Sequence, residues 1–107
     1  MPVVKIEFDK TKVSESDIKA LVSASHEIIS SVTGIEDVPV YARSADFTAE
    51  IAPIEIFIQL SSHKIADSVE LTARLRTAYE EWKKTSEFSI PINMTLIPMT
   101  WNIEIGI

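Results

Sequence analysis

A chain of 107 residues, 46% of them hydrophobic, can bury one core but not two. Its net charge of −6 argues against the basic footprint that nucleic acid or an anionic membrane surface requires. It has no cysteine, which removes disulfides, thiolate metal sites and cysteine nucleophiles together.

The apolar stretches are far shorter than a membrane span, and no secretory leader precedes the first strand, so a cytoplasmic protein is expected. The chain opens Met1-Pro2. Removal of the methionine would leave Pro2 with a secondary amine that no carbonyl delocalises. Such a nitrogen works as a base near neutral pH once its surroundings disfavour the charged form. A Met-Pro start also occurs without chemistry, and a motif this short is only a hypothesis.

Val4, Ile6 and Phe8 alternate with Val3, Lys5 and Glu7, which predicts a strand. Ser14, three residues before Asp17, is a helix N-cap with an acidic first turn. Ile18, Leu21, Val22, Ile28, Ile29 and Val32 follow at helical spacing, and Gly34 is the C-terminal stop. Val38 to Arg43 reads as a second strand and Ser44 to Ala52 as a loop.

The order then repeats. Ile54, Ile56, Ile58 and Leu60 alternate with Glu55, Phe57 and Gln59. Ser61-Ser62-His63-Lys64 leads to a second helix, striped by Leu71, Leu75, Ala78 and Trp82. Ile90 to Leu96 predicts a fourth strand, interrupted by Pro98, and Trp101, Ile103, Ile105 and Ile107 alternate as a short terminal strand. Val38-Pro39-Val40 and Ile90-Pro91-Ile92 share one offset with the first and third strands, whereas Pro2 and Pro53 are out by a residue.

The chain therefore reads as one α/β domain over 1–107, with pseudo-repeats of roughly 1–50 and 51–107. A duplicated βαβ plan (βαββαβ) predicts a four-stranded mixed sheet with two helices on one face, plus the short C-terminal strand. A ferredoxin-like domain has the same element order but interleaves strands of the two halves, and periodicity cannot see that difference.

Pro2 opening the first strand, the duplicated plan, Val32-Thr33-Gly34 closing the first helix, Ser62-His63-Lys64-Ile65 before the second, and Ile92-Asn93 together resemble the tautomerase superfamily, whose larger members include macrophage migration inhibitory factor. The resemblance implies a symmetric trimer with sites between subunits, around the N-terminal proline. It implies a proline nitrogen that shuttles a proton between carbon and oxygen of a keto or enol acid, or activates water, without a cofactor. Cationic side chains and backbone N–H groups would hold the substrate's carboxylate. The sequence departs from the pattern after the Thr-Gly, where a substrate-binding lysine of the inhibitory-factor branch is replaced by Ile35-Glu36-Asp37. The arginine near the start of the first helix in the smallest tautomerases is also absent, and Lys10 and Lys12 are the nearest cations.

Pro2 is the candidate catalytic residue. Arg43 could grip a carboxylate with its planar fork or lie solvated. Lys64, just before the second helix and its free N–H groups, could join an anion site or be an ordinary surface lysine. Tyr41 shares the face of Arg43 and offers a hydroxyl or packing. Asn93 could orient a substrate oxygen, and Trp101 could wall an interfacial pocket or simply pack. His26 and His63 are far apart with no motif around either, so no metal site is expected. Glu70 with Arg74, and Arg76 with Glu80, have the spacing of helical ion pairs. Two functions fit: a cofactor-independent keto–enol tautomerase, or a trimer of the same fold that binds without catalysing. The carboxylates Glu36 and Asp37 favour the second.

Overall fold

A computed structural model describes residues 2–107. Met1, on whose removal the Pro2 amine depends, lies outside the described residues. The elements run β1 (Val3–Phe8), α1 (Glu15–Thr33), β2 (Val40–Ser44), β3 (Ile54–Ser61), a 3₁₀ turn (Ser62–Lys64), α2 (Ser68–Ser86) and β4 (Asn93–Met99).

Local chemistry sets the helix ends. The Ser14 side chain accepts from the Asp17 N–H at 3.1 Å and opens α1. Gly34 closes it in the left-handed region at φ 73°, its N–H donating to the Ser30 carbonyl at 2.8 Å. α2 begins later than its sequence spacing suggests. Asp67 is its cap, accepting from the N–H groups of Val69 and Glu70 at 3.0 and 3.1 Å. Its far end is turned by Glu87 at φ 58°, a conformation that glycine adopts without the Cβ penalty.

The sheet order is β2-β1-β3-β4. β1 and β2 are parallel, as are β3 and β4, and β1 meets β3 antiparallel at the centre. Both strands of each βαβ unit are thus neighbours, which rules out the interleaved ferredoxin-like arrangement. β4 runs through Pro98 instead of stopping before it. It is an edge strand, where a residue without an N–H is tolerated.

Alternation divides the sheet into two faces. Val4, Ile6, Ile54, Ile56, Ile58 and Leu60 are buried with helix residues that include Leu21, Ile29 and Leu75. Tyr79, not Ala78, completes the buried stripe of α2, and its hydroxyl donates to the buried Ser25 of α1 at 2.8 Å. The opposite face, with Lys5, Tyr41, Phe57 and Thr95 in register across it, carries no helix among the described residues. Beyond β4, the short C-terminal strand expected over Trp101 to Ile107 forms no ladder within the described residues. This segment is pinned where the Trp101 indole N–H donates to Ser61 Oγ at 2.7 Å, and past it Ile105 and Ile107 stand exposed. A lone extended segment cannot satisfy its own backbone groups in a ladder.

Candidate functional site

Parallel pairing of β1 with β2, and antiparallel pairing with β3, brings several element ends together. The start of β1, the end of α1, the start of β2, the end of β3, the 3₁₀ turn and the end of β4 share one end of the molecule. Pro2, Lys64 and Trp101 all belong to this end. The Pro2 side chain is fully buried, and the next turn of chain is held by the Val4 N–H donating to the Pro39 carbonyl at 3.0 Å.

A cleft of about 350 Å³ opens at the same end, between the end of α1 and the start of α2. Thr33, Ile35, Lys64, Asp67, Glu70 and Arg74 line it. Thr33 fixes one wall: its hydroxyl donates to the Ile29 carbonyl at 2.6 Å and accepts from the Ile35 N–H at 3.3 Å. Ile35 stands in the wall, while Glu36 and Asp37 are exposed. Lys64 does not sit at a bare helix N-terminus. Asp67 takes the N–H groups of the first turn, so a carboxylate already fills the position where α2 would attract an anion.

Arg74 was not among the site candidates drawn from the sequence. The ion pair expected between Glu70 and Arg74 does not form. The guanidinium instead donates from Nη2 to the Val32 carbonyl at 3.2 Å, tying α2 to the last turn of α1. A carbonyl with no partner inside its own helix outcompetes an exposed carboxylate one turn away. The other expected pair does form, with Arg76 Nε donating to Glu80 at 2.7 Å. The signal for the missed residues was Asp67, an N-cap residue three positions before Glu70.

The remaining candidates lie elsewhere in the chain. Arg43 is opposite Glu7, at the far end of β1 from Pro2, and pairs with that carboxylate from Nε and Nη2, both at 3.1 Å. Tyr41 is opposite Lys5 on the uncovered face, 61% exposed, and both border a shallow groove of about 370 Å³. Asn93 starts β4 at the end away from Pro2 and donates to Glu55 at 3.1 Å. Within one chain, Arg43 and Asn93 therefore do not reach the end that holds Pro2. Among the described residues, no three His, Cys, Asp or Glu side chains gather so as to hold a metal ion, and no helix is long and apolar enough to cross a membrane.

No family profile and no curated protein sequence matches the chain. Solved structures do. A malonate semialdehyde decarboxylase, studied as wild type and with its first-residue proline changed to alanine, is 13% identical with a TM-score of 0.67, covering 97% of this chain and 92% of that one. A 5-carboxymethyl-2-hydroxymuconate isomerase is 13% identical with a TM-score of 0.63, over 99% and 89%. Macrophage migration inhibitory factor from Giardia lamblia is 11% identical with a TM-score of 0.52, over 89% and 96%. All three belong to the tautomerase superfamily. The chain has the tautomerase fold. At these identities it is the fold that is established. On this fold the end that holds Pro2 carries Lys64 and Arg74 in its cleft, and the residue after Gly34 is apolar Ile35.

Proposed function

We propose that this tautomerase-fold protein moves a proton next to the carbonyl of a small keto or enol acid, with Pro2 as general base after loss of Met1. The observation that supports the reading is that Pro2 and a cleft lined by Lys64 and Arg74, with Asp67 and Glu70, lie at the same end of the fold. Surroundings that disfavour the charged form of the Pro2 amine would bring its pKa towards neutrality. The neutral nitrogen takes a proton from the carbon beside the carbonyl. The electron pair moves to the carbonyl oxygen, and the proton returns there or to carbon. Lys64 and Arg74 hold the substrate's carboxylate, and Trp101 walls the site. No cofactor enters this chemistry.

A homotrimer completes the arrangement. The exposed isoleucines at the chain's end and the uncovered sheet face would be covered by neighbouring copies. Arg43 and Asn93, at the other end within one chain, would reach Pro2 from a neighbour, with Tyr41 on the same face as Arg43. We place the reaction in the cytoplasm.

The test is enol–keto conversion of phenylenolpyruvate by protein whose methionine removal is verified by intact mass. Pro2→Ala should abolish conversion with the fold intact, because the remaining primary amine has altered basicity and freedom. The exposed carboxylates Glu36 and Asp37 favour the second reading, a non-catalytic binding protein of the same fold. Inactivity of the verified Pro2-amine protein across a keto–enol panel would count heavily for that reading instead.

A further inference from the structure

The cleft at the Pro2 end holds both signs of charge. Lys64 and Arg74 supply two cations, Asp67 and Glu70 two carboxylates. Among the described residues, none of these four forms an ion pair with another. The absence of pairing is most informative for Glu70 and Arg74. They lie one turn apart on α2, at a spacing that normally allows a bond. Arg74 is held away by the Val32 carbonyl, and Glu70 makes no side-chain hydrogen bond to replace it. Asp67 is occupied only at Oδ1, by two backbone donors. All four line one cleft of about 350 Å³, a space for a small molecule.

A cleft built for a plain carboxylate gains nothing from two anions in its wall, because like charge disfavours the bound ligand. It gains from them if the ligand is itself bipolar. We infer that the ligand of this cleft is a zwitterionic oxo acid, whose carboxylate meets Lys64 and Arg74 and whose ammonium group meets Glu70. The inference rests on reading this end as the substrate site. Glu70 is the residue that sets specificity, and the free oxygen of Asp67 adds to its field.

The test compares two probes of one skeleton, 5-aminolevulinate and levulinate, which differ only by the amino group. Binding to the full chain is followed by amide chemical shifts at about pH 6.5, where the amine is charged. The aminated probe should bind about two- to fivefold more tightly, the range that an exposed ion pair supports. Glu70→Gln should erase that preference without weakening levulinate, while Arg74→Ala should weaken both probes alike. The amide spectrum of each variant reports whether it is folded. Equal binding of the two probes, a preference that survives Glu70→Gln, or no shift with either probe overturns the inference. Binding needs no turnover, so it separates from the Pro2 reading. Deuterium exchange at the carbons flanking the levulinate carbonyl reports on Pro2 alone, and its absence alongside selective binding would sink the proline chemistry and leave the inference standing.

Discussion

The hydroxyl pair between the helices offers a sharp test of how this core is held. Tyr79 donates to Ser25 Oγ at 2.8 Å, with Tyr79 5% exposed and Ser25 fully buried. Tyr79→Phe removes the donor and leaves Ser25 without water to replace it. Losing the bond and stranding a buried hydroxyl costs about 1–3 kcal/mol. Ser25 lies within α1 and can turn its hydrogen to a carbonyl one turn earlier, which lowers the expected loss to about 1–2 kcal/mol. Ser25→Ala strands the tyrosine hydroxyl instead and should cost a similar amount. The double variant strands neither group. It should be more stable than the sum of the single losses predicts, by about 1 kcal/mol. Urea unfolding followed by circular dichroism gives all four stabilities. Each kcal/mol should also appear as about 4–8 °C in Tm for a domain of this size. Losses that simply add would refute the claim that this bond links the helices.

The same tyrosine predicts a limit at high pH. Burial raises its pKa from 10.0 to about 12, with the Ser25 hydrogen bond acting weakly the other way. A group whose pKa is higher in the folded state stabilises fully below its unfolded pKa and loses that contribution above it. The urea midpoint should therefore fall between about pH 10 and 12, and Tyr79→Phe should flatten this part of the profile. Arg43→Ala should cost under about 1 kcal/mol, since its pair with Glu7 is largely exposed. If Arg43 also holds a substrate carboxylate across a subunit boundary, KM should rise for the acid and much less for a neutral ester, and equal effects on the two would remove that role. Light scattering should report a trimer, and deletion of residues 101–107 should give monomer or aggregate, whereas a stable full-length monomer would discard the intersubunit site.

Face and period were legible in the sequence because each is a local property. Ile54, Ile56 and Ile58 alternate whatever lies beside them, and all three are buried. Ser14 and Gly34 act within a turn of their own helix, so spacing alone located both ends of α1. Strand neighbours were not legible, since alternation names the face of a strand and not the strand beside it. Arg74 was misread for a related reason. Sequence spacing offers it Glu70, but the partner that wins belongs to another helix. Parity grouped Tyr41 with Arg43 correctly on one face. It could not say that Arg43 lies at the opposite end of β1 from Pro2, because an end is fixed only once strands are paired.

The central β1–β3 ladder has a consequence for how the protein is made. β1 pairs on one side with β2 from its own half and on the other with β3 from the second half. A nascent chain that has emerged only as far as β2 can form a parallel two-stranded ribbon, which is marginal in water on its own. The inner edge of β1 stays open until β3 leaves the ribosome, and α1 has only part of its sheet to lie on. The ladder that completes the core thus joins segments from opposite halves, the kind of contact that slows folding most. Translation must run well into the second half before the first can close, and through that interval β1 is the surface most exposed to capture by a chaperone or by another nascent chain.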